Sequence, residues 1–276
     1  MSVLVSVIII NYKRLDLLRN CLQSLFKYND NKYFEVIVID NNSEDESIEN
    51  LKNVFSNLKI IKLSENVGFG RANNIATEQS EGEYFLFVNS DVLFLENSIE
   101  KMLKYYNTDH SIGVIGPKLL NRDLSFQLSA GKLPNFFIEI KDKIIYSLSK
   151  KSRHINSLIE RYFFNKIKEV EWVTGACMFI DKNTFNRVNG FDENFFLYFE
   201  DKDLCARVRN MNKKIIYYPQ TSVVHLLGGS SSTKHQKEIK AIYRNSQIYY
   251  YKKHLKAFQN ILLKFYLHFN EKSGKN

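Results

Sequence analysis

Short apolar runs alternate with amphipathic stretches along the first third of the chain. Four of these runs, Val3–Ile10, Phe34–Ile39, Leu58–Leu63 and Tyr84–Val88, are rich in β-branched or aromatic residues, which is typical of strands buried on both faces. Between the first two runs, apolar residues recur at helical spacing over residues 15–26. Strands that alternate with helices in this way predict an α/β fold with a Rossmann-like, mostly parallel central sheet flanked by helices.

The rest of the chain mixes helices with shorter strands. Helical patterns cover residues 96–106 and 200–211, and strand patterns cover residues 112–115, 172–180, 215–218 and 222–226. A helical insertion is predicted at about 134–170, where Lys, Ile and Phe recur without a strand signal. The tail from His235 onward predicts two more helices. We therefore expect an α/β domain over residues 1–232 and a helical C-terminal extension over residues 233–276.

Composition narrows the class of protein. A chain of 276 residues with 44% apolar residues can bury the core of one large globular domain. Its three cysteines are far apart in sequence, which argues for a reducing compartment and against a disulfide framework or a zinc site. No apolar run reaches the roughly 18 residues that cross a bilayer, and the N-terminus lacks the basic leader of a signal peptide. We expect a cytoplasmic protein.

Positive charge is concentrated near the C-terminus. The net charge is +9, and residues 206–276 contain fourteen Lys or Arg but only two acids. An apolar stripe runs along the last predicted helix, through Leu255, Phe258, Leu262, Phe265 and Phe269. Such a basic, amphipathic helix can lie on an anionic membrane surface, cover the core, or pair with a second subunit in a homodimer. Nucleic acid is disfavoured as a partner, because these aromatic residues form a helical stripe and not an exposed stacking platform.

Acidic residues follow two of the predicted parallel strands. Asp40 follows the second strand, and Asp91 ends the Asn89-Ser90-Asp91 turn after the fourth. Ligands bind at this edge of an open α/β sheet, so Asp91 could hold a divalent cation that binds a diphosphate. Asp40 could accept the ring N–H of uracil or thymine. The alternative for both acids is local hydrogen bonding in turns, although Ser43 and Glu46 form a capping-box pattern that would cap the next helix without Asp40.

Two glycine-containing loops resemble phosphate-binding loops without matching them. Gly68-Phe69-Gly70-Arg71 lacks the third glycine of a dinucleotide fingerprint and follows the third strand, so a nicotinamide cofactor is disfavoured. It remains a flexible loop before a helix N-terminus that favours anions. Gly228–Ser232 offers backbone and hydroxyl donors but lacks the Gly-Lys-Ser/Thr of a P-loop, and its alternative is a flexible linker.

Glu200 and Asp201 are the strongest candidates for proton transfer. They follow an aromatic run that ends at Phe199, and apolar surroundings raise the pKa of a carboxyl group, which suits a general base. The alternative is that they only neutralise a helix N-terminus. His225 ends a strand and could be a second cation ligand, its alternative being a structural role.

Taken together, these motifs resemble glycosyltransferase family 2. The resemblance covers residues 3–232 and is carried by Val5–Tyr12, Val36–Ser43, Asn66–Asn74, Val88–Asp91, Trp172–Ala176, Gly190–Arg207 and His225–Ser231, in that order. Gly116–Asn121 followed by Phe126–Ser129 looks most like the rhamnosyltransferase branch, which builds bacterial polysaccharides and typically uses dTDP-L-rhamnose.

The resemblance implies a GT-A fold and an inverting transfer that depends on Mg²⁺ or Mn²⁺. Asp40 would bind the pyrimidine, Asp91 would be the acid of a DXD-like motif, Asp201 beside Glu200 would be the base, and His225 would help to hold the metal or the diphosphate. Asn89 replaces the first acid of a full DXD motif. Further residues expected to bind the nucleotide sugar are Asn42, Asn66, Gly68, Arg71, Asn74, Asn89, Ser90, Ser230 and Ser231.

The donor and the acceptor stay open at this point. A carboxylate at Asp40 reads an edge that uracil and thymine share, so UDP-galactofuranose, UDP-glucose and UDP-GlcNAc are alternatives to a dTDP-sugar. A nucleotidyltransferase is a second alternative, but 11–14 has no glycine-rich loop. A non-catalytic membrane scaffold is a third. The acceptor is expected to be a saccharide or a polyprenyl-diphosphate lipid, with the protein peripheral on the inner face of the cell membrane.

Overall fold

A mixed β-sheet forms the centre of this α/β protein. The computed structural model describes residues 3–30, 32–44, 46–55, 58–227 and 233–272. Its strands are β1 (Val5–Asn11), β2 (Phe34–Asp40), β3 (Leu58–Lys62), β4 (Tyr84–Asn89), β5 (Val92–Phe94), β6 (Ile112–Leu120), β7 (Phe126–Gln127), β8 (Ala130–Gly131), β9 (Lys168–Val170), β10 (Trp172–Val173), β11 (Cys177–Asp181) and β12 (Lys214–His225). The main sheet has the order β3-β2-β1-β4-β11-β6-β12-β5, with β7 beside β6 and β9 beside β12.

Helices cover both faces of this sheet. They are α1 (Leu15–Tyr28), α2 (Phe69–Glu78), α3 (Ser98–Tyr106), α4 (Phe136–Lys151), α5 (Arg153–Phe163), α6 (Lys182–Arg187), α7 (Glu200–Asn210), α8 (Thr233–His254) and α9 (Ala257–Lys272), with a 3₁₀ helix at Glu46–Asn53. Neighbouring residues of β2 enter two different cores, Val36 one and Ile37 the other. The strand is apolar throughout because each face is covered, as the sequence pattern predicts.

Parallel pairing aligns the ends of three strands. β1 pairs in parallel with β2 and with β4, and the register places Asn11 beside Asp40 and Ile10 beside Asn89. Polar residues that end these strands therefore meet at one edge of the sheet. The predicted α/β fold and its central sheet are confirmed.

Two predicted strands differ in detail from those in the structure. Residues 172–180 form two strands and not one: β10 pairs with β8 in a small separate ladder, and β11 pairs with β4 in the main sheet. The chain changes sheets at Gly175 and Ala176, and glycine is common where a strand makes a tight bend. Conversely, the two predicted strands around Pro219 are one strand, β12, with an irregular register between Tyr218 and Ser222. A bulge is where a strand tolerates proline.

Ser43 has a role that the predicted capping box did not include. The 3₁₀ helix begins at Glu46, and the Ser43 hydroxyl accepts hydrogen bonds from the Lys13 N–H (2.9 Å) and from the Asn11 side-chain amide (3.1 Å). Ser43 therefore joins the loops that follow β1 and β2.

The C-terminal helices share a core with the segment that precedes α7. Phe195 and Phe199 are buried against Tyr250, Tyr251 and Leu263. The inward face of α9 carries Leu263 and Leu267, whereas Phe258 and Phe265 of the predicted apolar stripe are exposed. Of the other residues of the predicted stripe, Leu255 packs against this core and Leu262 is half-buried. Within the described residues, no helix is both long enough and apolar enough to cross a membrane.

Candidate active site

A cavity of about 230 Å³ opens where β1, β2 and β4 end. It is the natural ligand position in an open α/β sheet, outside the carboxyl ends of the strands. Its walls come from five loops or strand ends and consist of Ile10, Tyr12, Arg14, Leu17, Asn41, Asn66, Gly68, Phe69, Asn89, Ser90, Asp91, Phe196 and Leu197. Asn66, Gly68, Asn89, Ser90 and Asp91 were predicted from the sequence, and the structure brings them together.

The loop after β2 is held to the loop after β3 by one buried amide. Asn41 Oδ1 accepts the N–H of Val67, and Asn41 Nδ2 donates to Asn66 Oδ1 over 2.9 Å. Asn66 Oδ1 also accepts the N–H of Gly68. Gly68 has a φ of +83°, and a Cβ there would lie 2.4 Å from the carbonyl oxygen of Phe196. This wall of the cavity therefore needs a glycine.

Asp40 lies beside the cavity and not in its lining. It is buried, and its Oδ1 accepts the N–H of Ser43 over 3.3 Å, which is the turn hydrogen bond that the alternative interpretation expected. Asn42, also predicted to bind the donor, lies next to Asn41 with a left-handed φ of 64° and outside the lining. The two residues predicted from the sequence, Asp40 and Asn42, lie on either side of Asn41, which lines the cavity and was not predicted.

Arg71 and Asn74 of α2 point away from the cavity. Arg71 Nε lies 3.6 Å from a carboxylate oxygen of Glu193. The Asn74 side chain accepts the N–H of Phe191 and donates to the Phe191 carbonyl, both over 2.9 Å. These contacts fasten α2 to the loop that precedes α7. Neither residue belongs to the cavity lining, and their role in binding the donor stays a prediction.

Asp91 and His225 meet at one side of the cavity. His225 Nε2 lies 3.2 Å from Asp91 Oδ1 and 3.3 Å from the side-chain nitrogen of Asn89. The ladder between β5 and β12 brings them together, because it pairs His225 with Val92, the residue after Asp91. The two metal ligands predicted from distant parts of the sequence are therefore neighbours.

Gln127 fixes which nitrogen of His225 faces Asp91. Gln127 Nε2 donates to Asn121 Oδ1 and to the backbone carbonyl of His225, so Gln127 Oε1 must accept, and this oxygen lies 2.7 Å from His225 Nδ1. A proton on Nδ1 leaves the lone pair of the neutral ring on Nε2, on the side of Asp91. Gln127 was not among the predicted site residues, and only its position in the motif Phe126–Ser129 was noted.

This pair of atoms fits a shared divalent cation. Adjacent ligands of an octahedral ion with bonds of about 2.1 Å lie about 3 Å apart, close to the observed 3.2 Å. No group of three or more His, Cys, Asp or Glu that could hold a metal occurs among the described residues. Mg²⁺ is commonly bound by one or two protein ligands together with substrate phosphates, so a two-residue site is compatible with a cation that arrives with a diphosphate.

Asp201 is connected to the same strand end through two backbone hydrogen bonds. The Asn89 N–H donates to the carbonyl of Ala176 over 3.0 Å, and the Gly175 N–H donates to Asp201 Oδ2 over 3.1 Å. A Cβ on Gly175 would lie 3.3 Å from the ring of Phe69, which lines the cavity, and 3.5 Å from Asp201 Cβ. Asp201 is therefore close to Phe69 of the cavity wall, although it is not itself part of the lining.

Glu200 differs from Asp201 in its surroundings. Burial and the neighbouring charge of Asp201 raise the pKa of Glu200 to about 8. Its Oε2 is buried and makes no hydrogen bond within the described residues. Both oxygens of Asp201 accept backbone N–H groups, from Gly175 and Lys202. At neutral pH the raised pKa therefore keeps a proton on Glu200.

A strained turn presents this pair. Tyr198 and Phe199 both have a left-handed φ of 69°, which is rare for aromatic residues and costs of order 1–3 kcal/mol for each residue. The rings of this turn pack on α8, with Phe199 5.5 Å from Tyr250 and Tyr198 5.5 Å from Tyr243 between ring centroids. The C-terminal helix therefore holds the backbone that orients Glu200 and Asp201.

Asp203 forms a second link between α7 and α8. Its fully buried carboxylate contacts Arg207 (2.7 Å), Lys253 (2.6 Å) and His254 (2.7 Å). Burial alone would raise the pKa of Asp203, but the hydrogen bond from His254 and the charges of Arg207 and Lys253 outweigh burial and lower it. Three cationic or donor groups therefore compensate one buried charge two residues from Asp201.

Two predicted residues lie outside the described part of the chain, and several residues that line the cavity were not predicted. Ser230 and Ser231 lie outside the described residues. Tyr12, Arg14, Phe69 and Phe196 line the cavity but were not predicted, although Tyr12, Phe69 and Phe196 lie within the motifs that carry the family resemblance.

Comparison with known proteins identifies sequence relatives. Residues 6–216 match the family described as glycosyl transferase family 2. The chain is 23% identical over 230 residues to N-acetylglucosaminyl-diphospho-decaprenol L-rhamnosyltransferase of Mycobacterium tuberculosis, covering 79% of this chain and 75% of the relative. It is 25% identical over 229 residues to rhamnosyltransferase WbbL of Escherichia coli strain K12, covering 80% and 83%.

Solved structures show a similar fold at low sequence identity. The crystal structure of GalNAc-T7 with UDP, GalNAc and Mn²⁺ superposes with a TM-score of 0.62 at 14% identity, covering 91% of this chain and 50% of that chain. The structure of Staphylococcus aureus TarS 1-349 in complex with UDP gives a TM-score of 0.57 at 20% identity, covering 88% and 65%. The chain thus spans half to two thirds of the length of these two structures.

Proposed function

The chain belongs to glycosyltransferase family 2, and we propose that it transfers L-rhamnose from dTDP-L-rhamnose to a hydroxyl of a saccharide or lipid-linked acceptor. The choice of sugar is supported by the two relatives that are named rhamnosyltransferases. The reaction type is supported by one observation above all: the strand end that carries Asn89, Ser90 and Asp91 is hydrogen-bonded to the turn that holds Asp201.

In this proposal the cavity receives the nucleotide diphosphate of the donor. The loop of Asp40 and Asn41 contacts the pyrimidine, and Asn89, Ser90 and Asp91 lie along the diphosphate. Asp91 and His225 would hold Mg²⁺ or Mn²⁺, which neutralises the charge of the departing nucleotide diphosphate. Gly68 presents bare backbone to the donor. A side chain cannot replace it, because a Cβ there would collide with the carbonyl of Phe196.

Asp201 acts as the general base in a single displacement. It takes the proton of the acceptor hydroxyl while that oxygen bonds to the anomeric carbon and the bond from this carbon to the diphosphate breaks. Attack from the face opposite the diphosphate inverts the anomeric configuration. Glu200 stays protonated, so that the negative charge of the pair stays on Asp201, whose oxygens are oriented by Gly175 and Lys202.

A UDP-sugar is the second candidate donor. It is favoured by the two structural neighbours above, both of which contain UDP. Incubation with Mn²⁺ and a panel of dTDP-L-rhamnose, UDP-galactofuranose, UDP-glucose and UDP-GlcNAc, followed by measurement of released nucleotide diphosphate, tests both. Release from dTDP-L-rhamnose at least tenfold faster than from any UDP-sugar is expected; the reverse order would replace rhamnose by the preferred sugar.

Peripheral attachment to an anionic membrane belongs to the same proposal. Phe258, Ile261 and Phe265 of α9 are each more than half exposed, and Lys256 and Lys264 are exposed beside them. Apolar side chains next to lysines suit the interface of an anionic bilayer. This placement would bring a lipid-linked acceptor to the enzyme.

A further inference from the structure

A second and larger cavity lies under the helical insertion. Its volume is about 690 Å³, and residues of α4 and α5 line it on one side and residues of β8 and β9 on the other. None of the side chains described for α4 is buried, and Asn156 is the buried residue of α5. These two helices carry many Ile, Leu and Phe residues, but they enclose a cavity and do not pack tightly on the sheet.

The interior of this cavity is apolar. Leu128, Ile145, Leu148, Ile159 and Phe164 are among the residues that form its walls. Pockets of 300–1,000 Å³ with mainly apolar walls and a few placed polar groups are typical ligand sites. An apolar ligand that fills a cavity of this size stabilises the folded protein, because the side chains of the lining otherwise lack van der Waals contacts on one side.

Cationic side chains line the same cavity. Lys132, Lys141 and Lys168 belong to its walls, and Arg209 lies 3.8 Å from Glu171. Burial lowers the pKa of Lys168, whose Nζ lies 3.9 Å from the centre of the Phe164 ring and donates to the Phe163 carbonyl.

Its acidic residues compete only weakly with these cations. Glu171 is engaged by Arg209 and by the N–H of Leu133, and burial raises the pKa of Asp142. The third acid, Glu169, is exposed. The walls therefore combine an apolar interior with a surplus of lysines that suits an anionic head group.

This cavity is connected to Asp201 through the small ladder of β8 and β10. Gly131 and Lys132 line it, Gly131 pairs with Trp172, and the Trp172 indole donates to the Lys132 carbonyl over 2.9 Å. Three residues after Trp172, Gly175 binds Asp201, a distance of about 10 Å along an extended chain. The donor cavity is reached from Gly175 through Phe69. Asp201 is thus linked to the walls of both cavities, through Gly175 and Trp172 to one and through Phe69 to the other.

We propose that the cavity under α4 and α5 binds the prenyl chain of a prenyl-diphosphate-linked acceptor. The chain occupies the apolar interior, the diphosphate contacts the lysines, and the attached sugar extends toward Asp201. The inference rests on the proposed glycosyl transfer for its choice of ligand. The cavity, its apolar walls and its lysines are independent of that function.

Binding of farnesyl diphosphate to the full chain, measured by titration calorimetry in EDTA, tests the proposal. Ile145→Trp fills the cavity from α4, and Ile159→Trp fills it from α5. The matched control is Ile144→Trp, because Ile144 is the same residue type one position earlier but is 56% exposed and outside the cavity lining. Wild type and Ile144→Trp should bind alike, and both cavity variants should bind at least tenfold more weakly. Circular dichroism and thermal melting confirm that each variant is folded.

Two outcomes would overturn the inference. One is unchanged binding by folded Ile145→Trp and Ile159→Trp. The other is equal affinity for inorganic diphosphate and farnesyl diphosphate, which would mean that only the head group is recognised. Donor turnover is measured separately, as nucleotide diphosphate released without acceptor, and should be unchanged in Ile144→Trp, the variant outside the cavity. Absence of donor turnover in wild type with every sugar nucleotide would contradict the proposed function while leaving the binding result standing.

Discussion

The N–H of Gly175 donates a 3.1 Å hydrogen bond to Oδ2 of Asp201, and this contact positions the proposed base. Gly175 is adjacent to Ala176, whose carbonyl accepts the N–H of Asn89 from the turn that carries Asp91. A residue at the start of α7 is in this way held at a fixed position relative to the end of β4. The proposed base and the proposed diphosphate site are therefore parts of one hydrogen-bonded unit.

Asp201→Asn should abolish transfer and preserve donor binding. The amide oxygen of Asn can still accept the N–H of Gly175, but the side chain cannot take a proton from an acceptor hydroxyl. Loss of a general base typically lowers turnover by about 10²–10⁴-fold. Steady-state transfer assays give the turnover, and calorimetry with the nucleotide diphosphate gives the affinity, which should change by less than about threefold. Turnover within tenfold of wild type would remove Asp201 from this role, and Asp30→Asn, an exposed acid distant in sequence, is the control.

Gln127→Met should weaken metal binding without changing the fold. The variant removes the acceptor for His225 Nδ1–H, so the ring can rotate or change tautomer and no longer presents Nε2 toward Asp91. Loss of such a partner commonly costs about 10–100-fold in metal affinity. The Mn²⁺ concentration for half-maximal donor turnover should rise by this factor in Gln127→Met.

Gln127→Glu is the matched variant for this measurement. It keeps an oxygen that can accept from Nδ1, and should restore most of the metal affinity. Equal Mn²⁺ requirements in wild type and Gln127→Met would show that His225 does not depend on Gln127. A turnover that is insensitive to added EDTA in wild type would contradict the proposed cation site itself.

Glu200 should make the protein less stable as pH rises. Its pKa is about 8 in the folded protein and near 4.5 in an unfolded chain, so between these values the unfolded state releases a proton that the folded state retains. The free energy of unfolding therefore falls with increasing pH through this window, by on the order of 1 kcal/mol for each pH unit. Glu200→Gln lacks this dependence. Urea unfolding at pH 5 and pH 8 should show the variant gaining relative to wild type at pH 8; a constant difference would contradict the raised pKa.

Asp203→Asn should destabilise the whole domain. The variant leaves Arg207, Lys253 and His254 without their buried counter-charge, and breaking such a pair commonly costs about 3–5 kcal/mol. Urea unfolding should give a lower midpoint with a single transition, because α8 and α7 share this contact. Asp30→Asn, which removes an exposed pair with Lys32, should leave the midpoint unchanged. Two separate transitions in wild type would instead mean that the C-terminal helices unfold independently.

The sequence predicts the parallel strands and their polar ends because apolar runs and turn residues are local signals. Asp91 and Asp201 could be chosen from such signals, since each stands beside a strand end or a helix start. Asn41 and Gln127 could not, because their importance comes from hydrogen bonds to residues that are distant in sequence.

Contacts that depend on tertiary packing are equally difficult to predict from the sequence. The outward direction of Phe258 and Phe265 is decided by Leu263 and Leu267, which fit against Phe195 and Phe199. A helical wheel of α9 alone contains two apolar faces and gives no basis for choosing between them. The cavity under α4 and α5 likewise exists only because the insertion stands away from the sheet.

The exposed face of α9 gives a prediction about membrane attachment. Phe258, Ile261 and Phe265 together form an apolar surface beside exposed lysines, and each buried aromatic or aliphatic side chain contributes roughly 1.5–3 kcal/mol when it leaves water. Replacing all three by Ser should therefore reduce sedimentation with vesicles that contain anionic lipid, and raising the salt concentration should reduce binding of wild type.

Surface substitutions test this face better than truncation does, because deleting α8 and α9 would also remove Lys253 and His254 from Asp203. The matched control is Val54→Ser, since Val54 is 68% exposed on the 3₁₀-helix end near β3. Light scattering of wild type and of the triple variant shows whether the same face pairs two copies of the chain. Loss of a dimer with unchanged vesicle binding would assign the exposed face of α9 to self-association and would contradict its membrane role.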